Sequence, residues 1–334
     1  MMMTKILAYH VRDDEQPFID EWVREHHIQV DSVTEELHDD TVALAKGYDG
    51  VDFKQRSLIT DKPDLYEKLH AYGISQLSAR SAGIDTLNLD WAKANGIRVS
   101  NVPSYSPRAV AELVLTQAMQ LIRHIPEFRA RFQDNNYVVD GLRSRELSEL
   151  TIGIIGVGRI GSAVARIFHA LGATVLGNDI TKPREDLKGV LRYTTKDEIY
   201  RIADVVTVHV YYSEKNHHLV GKDEFAKLKP SAFFINDSRG HVIDTVAFRD
   251  ALLDHQFAGG GLDVVENETQ VFNQKFADET PVPLYNELKQ IPNLLLTPHI
   301  GFFTDHAVRN MVVESLDDTL AFLENRPTEH EIHF

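Results

Sequence analysis

The stretch TIGIIGVGRIGSAVARIFHALGATVLGND, residues 151–179, constrains this chain more than any other. Gly156, Gly158 and Gly161 stand in the spacing G-x-G-x-x-G between a buried-type strand (151–155) and an amphipathic helix (160–171), and a second strand (173–178) follows. The first glycine allows a tight turn, the second lets backbone approach a pyrophosphate, and the third lets helix and strand pack closely. The helix N-terminus adds N–H groups and the positive end of its dipole. Asp179, 18 residues after Gly161, stands where a carboxylate accepts from a ribose 2′-OH and repels a 2′-phosphate. The stretch predicts a dinucleotide site that takes NAD in preference to NADP.

Similar alternation runs along the whole chain. KILAYH (5–10), GVDF (50–53), ISQLSA (74–79) and IRVSN (97–101) read as strands, and PDLYEKLHAYG and LNLDWAKANG as helices closed by glycine. SPRAVAELVLTQAMQLIRHI reads as one long helix, capped by Ser106 with Pro107 at its first position. Residues 126–150 look polar and irregular. The second series runs from Thr151 to about 297 through VVTVHV, AFFIND, GGGLDV and LLLTPH. A last helix, DHAVRNMVVESLDDTLAFLEN, puts Ala307, Val308, Met311, Val312 and Leu316 on one face. Strand–helix alternation implies parallel sheets covered on both faces.

Composition narrows the class. With 334 residues, 43% of them hydrophobic, the chain can build two cores. A formal net charge of -15 disfavours phosphate backbones and anionic lipid as partners. The absence of cysteine removes disulfides, thiolate metal sites and Cys nucleophiles. No apolar run reaches 18 residues, and MMMTKILAYHVRDDE has no signal-peptide core, so a soluble cytoplasmic protein is expected. His26–His27 and His217–His218 are adjacent pairs, not the i, i+4 spacing that puts two ligands on one helix face, so no metal is expected.

Three strand ends of the second series carry reactive groups. Arg239 follows AFFINDS, Asp263, Glu266 and Glu268 follow the glycine-rich strand, and His299 follows LLLTP. Ligands of doubly wound sheets bind outside the carboxyl ends of the strands. There Arg can hold a carboxylate bidentately, and His can exchange a proton with a carbonyl oxygen as hydride moves. A neighbouring carboxylate favours and orients the protonated imidazole.

With ARSAGIDTLNLD, NVPSYSPRAVAE, GVGRIG, NDSRG, LDVVENE and TPHIGFFTDHAVRNMV, the chain resembles the NAD-dependent D-2-hydroxyacid dehydrogenases over nearly its whole length. The resemblance implies a Rossmann nucleotide domain (104–299) inserted into a flavodoxin-like catalytic domain (1–103 with 300–334), both doubly wound α/β, and usually a homodimer joined through the nucleotide domain. It implies that Arg239 anchors substrate, His299 donates the proton, and Glu268 rather than Glu266 partners the histidine. Arg159, Ile160, Asp179, Val210, Tyr211, Asn216, Asp237, Ser238, Arg239 and Asp263 fall at cofactor positions beside the three fingerprint glycines. The N–H groups near Ala82 and Gly83 resemble a second carboxylate site, and Tyr105 a pocket wall. Two residues depart from the family pattern. Tyr211 replaces the usual proline, which questions the local loop, and Asp237 stands where a small or neutral residue is commoner, either facing an oxidised nicotinamide or merely solvated.

Lys54 bears on the substrate. Its position resembles that of a tyrosine in D-lactate dehydrogenases and of an arginine in (R)-2-hydroxyglutarate dehydrogenases, whereas Phe302 and Phe303 resemble the lactate enzymes. Pyruvate is the default expectation, and a dicarboxylate read by Lys54 the competitor. A Lys54 snorkelling to solvent would read nothing. From another class stands a non-catalytic NAD(H)-sensing corepressor, which would need no complete Arg, Glu and His set.

Overall fold

The alternation folds into two all-parallel sheets, one in each of two compact units, Met1–Ser106 with Phe303–Phe334, and Pro107–Phe302. The structure, a computed structural model, describes residues 4–333.

The first unit runs β1 (Lys5–Tyr9), α1 (Gln16–His26), β2 (Gln29–Ser32), β3 (Gly50–Phe53), α2 (Asp64–Ala71), β4 (Gln76–Ala79), α3 (Leu89–Ala94) and β5 (Arg98–Asn101). Its sheet order is β2-β1-β3-β4-β5, the flavodoxin-like doubly wound order. Every residue of β3 and β4 is buried, as expected of strands covered on both faces. Neither α1 nor β2 is among the expected elements. α1 does carry an apolar face, Phe18, Ile19, Trp22 and Val23, which sequence reasoning passed over, whereas β2 is a half-exposed edge strand of sequence QVDS with no apolar alternation to read.

The second unit opens with α4 (Pro107–Ile122) and α5 (Ile125–Gln133). The expected single helix ends at Ile122, because His124 adopts a left-handed backbone with φ 53° and Pro126 starts a new first turn. The segment expected to be irregular from 126 therefore begins as helix. No residue of α5 is buried, and its Ile125, Phe128 and Phe132 recur at helical spacing on a face left open. Then follow β6 (Thr151–Ile155), α6 (Arg159–Ala170), β7 (Thr174–Asn178), β8 (Arg192–Tyr193), α7 (Lys196–Ile202), β9 (Val205–Val208), α8 (Lys222–Phe225), β10 (Phe233–Asn236), α9 (Thr245–Leu253), β11 (Gly259–Leu262), α10 (Pro283–Leu288) and β12 (Leu294–Leu296). The sheet order β12-β11-β10-β9-β6-β7-β8 reverses direction at β6, the Rossmann switch point where dinucleotides bind.

Helix α11 (Asp305–Leu323) returns the chain to the first unit and packs on β3, β4 and α1. Its expected face is buried, with Ala307, Val308, Met311, Val312 and Leu316 all inside, and Val312 and Leu316 join Ile6, Ile19 and Trp22 in one cluster. Among the described residues, no helix is long and apolar enough to cross a membrane.

Candidate active site

The fingerprint forms the turn its spacing requires. Gly156 has φ +91°, and a Cβ there would collide with the His209 carbonyl; a Cβ on Gly161 would collide with the Gly156 carbonyl. A Cβ on Gly158 would meet nothing within 4 Å, so this side of the turn is open to a ligand. The N-terminus of α6 follows directly, with Arg159 exposed and Ile160 half-buried. Past β7, Asp179 Oδ2 accepts the Val157 N–H at 2.6 Å, and Oδ1 accepts the N–H and hydroxyl of Thr181, each at 2.8 Å. Burial would raise its pKa, but these hydrogen bonds hold it below the ordinary value, so it remains a carboxylate. An open glycine turn, a helix N-terminus and a fixed carboxylate fit NAD: the turn would hold the pyrophosphate and Asp179 the adenosine ribose.

After β9, half-buried Val210 leads into exposed Tyr211. Asn216 closes this loop, its Oδ1 accepting the Ser213 N–H at 2.7 Å and its Nδ2 donating to the Tyr211 carbonyl at 2.6 Å. The loop is thus held by an amide where proline would have stiffened it.

Beyond β10, Asn236 builds the turn that carries Arg239. Its Nδ2 donates to the Arg239 carbonyl at 3.0 Å, and its Oδ1 accepts from Ser238 N–H (3.1 Å) and hydroxyl (2.7 Å). Sequence reasoning passed over Asn236, although Asn before a short turn is the signal for such side-chain-to-backbone bonds. Arg239 is half-buried, with Nη1 donating to the Ser238 carbonyl at 2.8 Å.

His299 is fixed by two carboxylates. Asp263 accepts from Thr297 Oγ1 at 2.6 Å and from the Ile300 and Gly301 N–H groups at 2.8 Å each, and its carbonyl accepts the His299 N–H at 2.8 Å. These bonds hold His299 in the left-handed region, φ 55°, uncommon for a residue with a Cβ. Glu268 Oε1 meets His299 Nδ1 at 2.8 Å, which leaves Nε2 for proton exchange. Glu266 faces elsewhere, toward His218 Nε2 (2.9 Å), His241 Nδ1 (3.2 Å) and the Thr245 N–H (3.1 Å). The rings of Phe272 and Phe302 stand edge-on to the imidazole at 5.7 and 6.3 Å. Of the two alternatives for Asp237, the solvated one does not hold: it is 7% exposed, and burial together with Asp263 pushes its carboxyl well above the ordinary value.

In the first unit, Lys54 does not snorkel outward. It is 9% exposed, and Nζ lies 3.6 Å from Oε1 of fully buried Glu15. Arg12 Nη1 (3.5 Å) and Arg80 Nε (3.6 Å) face the same oxygen, and Arg80 also bonds Asp52 and the Tyr9 and His10 carbonyls. Burial lowers Lys54 to about 7, even with Glu15 opposing. After β4, Asn101 Nδ2 donates to the Ala82 carbonyl at 2.6 Å and Ser81 Oγ to the Gly83 carbonyl at 2.7 Å, which fixes this loop's peptides. Tyr105 is half-buried, its carbonyl accepting Asn310 Nδ2 at 2.8 Å.

Comparison with known proteins bears on this arrangement directly. Residues 115–301 match the D-isomer specific 2-hydroxyacid dehydrogenase, NAD binding domain. The chain is 40% identical to the D-lactate dehydrogenase of Lactiplantibacillus plantarum over 334 residues, covering 99% of both proteins. It superposes on the solved structure of a D-lactate dehydrogenase from a Sporolactobacillus species with a TM-score of 0.86 at 46% identity, covering 99% of each chain. It superposes equally well, at a TM-score of 0.88, on the NAD-complexed D-isomer specific 2-hydroxyacid dehydrogenase of Lactobacillus delbrueckii ssp. bulgaricus, 37% identical over 99% of this chain and 100% of that one. With this fold, this NAD turn and these relatives, the chain belongs to the NAD-dependent D-2-hydroxyacid dehydrogenases and is an oxidoreductase of 2-oxo and D-2-hydroxy acids.

Proposed function

We propose that the preferred reaction is reduction of a small 2-oxo acid, pyruvate first, to its (R)-2-hydroxy acid, as in a D-lactate dehydrogenase. The observation that carries this reading is the Glu268–His299 pair, flanked by Phe272 and Phe302. His299 Nε2 gives its proton to the substrate's carbonyl oxygen, and Glu268 on Nδ1 stabilises the protonated ring. The nicotinamide, when bound, supplies the hydride that C2 receives. Arg239 holds the substrate carboxylate as a planar fork. In this reading Pro107–Phe302 is the nucleotide domain and the remaining unit the catalytic one.

Two observations favour a small substrate over a dicarboxylate. Relatives of nearly equal length are named D-lactate dehydrogenases, and the Lys54 ammonium already faces Glu15. Measured kcat/KM values for pyruvate, phenylpyruvate, oxaloacetate and 2-oxoglutarate, in the wild type and in Lys54→Ala, test this. Pyruvate should lead, and the variant should leave the ranking unchanged. A preference for 2-oxoglutarate that Lys54→Ala removes would establish the dicarboxylate reading instead.

The same reading includes a cytoplasmic homodimer that binds neither nucleic acid nor membrane, in keeping with the net charge of -15. Ile125 and Phe132 on α5, with Tyr137, Val138 and Val139 after it, are exposed large apolar side chains in one short stretch, which a second copy would cover. Sedimentation should show a dimer, and Val139→Asp should weaken it. A monomer at micromolar concentration would remove this part of the proposal.

A further inference from the structure

Asp237 is a residue the reaction does not ask for. It lies one step past β10, where the register pairs Asn236 with Leu262 of β11 and with Val208 of β9. The next positions on the three strands are therefore His209, Asp237 and Asp263, side by side at the carboxyl edge of the sheet. In the Rossmann arrangement the adenosine half lies over the β6–β7 side, where Asp179 stands, so the nicotinamide half falls over β9, β10 and β11.

The surroundings of Asp237 favour an acid over a carboxylate in the absence of a bound cation. Asp237 is 7% exposed and Asp263 2% exposed. The groups that face it are Asp263 from β11 and Gln117 from α4, neither of them a cation. His209 on the β9 side has a buried Nδ1, and burial pushes its imidazole down to about 3, so it brings no positive charge. Both Asp237 oxygens and Gln117 Oε1 are buried acceptors without a well-formed hydrogen bond among the described residues, and the Asp263 N–H and Gln117 amide beside the carboxyl offset its burial only in part. A carboxylic O–H supplies a donor here and a carboxylate supplies none. Burial and the Asp263 charge push the Asp237 carboxyl well above the ordinary carboxylate range.

We propose that Asp237 senses the redox state of the cofactor, staying an acid beside the neutral reduced ring and losing its proton beside the cationic oxidised ring. The physical basis is a difference of one charge on the ligand, placed in a site of low dielectric next to a second carboxylate. Binding of NAD+ then expels a proton from Asp237 to solvent, and binding of NADH does not. Raising the pH favours NAD+ over NADH, by up to about tenfold in relative affinity per pH unit where one full proton is released. The proposal rests on NAD binding alone and is independent of which 2-oxo acid the enzyme prefers.

Calorimetric titration of the full chain with NAD+ and with NADH, without substrate, reads this directly. Repeating each titration in buffers of different ionisation enthalpy gives the number of protons released. NAD+ should release up to one proton more than NADH in the wild type, and that difference should vanish in Asp237→Asn and Asp237→Ser. Equal release for the two cofactors in the wild type, a comparison that needs no variant to fold, would overturn the proposal. So would a difference that persists in a folded Asp237→Asn.

Discussion

His299→Asn should lower kcat by about 10²–10⁴ while NADH still binds. Asparagine is the appropriate replacement because it tolerates the left-handed backbone at φ 55°, so the loss reports on the imidazole and not on strain. The Asp263 carbonyl can still accept the backbone N–H, and Glu268 loses the ring nitrogen that it meets at 2.8 Å. The cofactor turn at Gly156–Gly161 and Asp179 lies on other strands and should keep its affinity. Stopped-flow measurement of NADH oxidation separates the two effects. Near-normal turnover with pyruvate would exclude His299 as the proton donor.

The other large effect should be on stability. Arg80→Met removes the guanidinium that faces Glu15 and bonds Asp52, both carboxyls being fully buried. Breaking a buried ionic network from one side typically costs about 3–5 kcal/mol, here because the buried Asp52 loses its cation while Glu15 keeps only Lys54 and Arg12. Urea unfolding followed by limited proteolysis of β1 and β3 should show the first unit opening at lower denaturant. An unchanged midpoint would mean that Arg80 contributes nothing net.

The pH dependence of the network has two arms. Burial would raise Glu15, but Arg80, Lys54 and Arg12 bring it down to about 2 from 4.5, so its contribution is present above 4.5 and fades as pH falls toward 2. Burial brings Lys54 down to about 7 from 10.5, so the unfolded chain binds more protons between those values and stability climbs with pH across that window.

Legibility in the sequence followed the range of the interactions. The turn at Gly156–Gly161 was readable because its strand, glycines, helix and Asp179 lie within one continuous stretch of 29 residues, 151–179. Strands such as β3 and β10 were readable because burial on both faces leaves an unbroken apolar run. Lys54 was not, because its partner Glu15 lies 39 residues earlier, in the polar stretch before α1, and only the fold brings the two together. Asp237 was not, because NDSRG carries the polar composition of a surface turn, and only the neighbouring strand ends reveal that it is enclosed. The choice of Glu268 over Glu266 came from family resemblance; local spacing offers both, and only the fold sends one to His299 and the other to His218 and His241.

The return of α11 to the first unit has a consequence for biosynthesis. β3 and β4 leave the ribosome early, yet the helix that covers them begins at Asp305. At about 5–20 residues per second, the roughly two hundred residues between β5 and α11 take about 10–40 s to translate. Throughout that interval the nascent first sheet must keep one apolar face open while the entire nucleotide domain is made and can fold. The order of synthesis is thus the reverse of the order of completion: the unit whose strands are made first is the last to close its core.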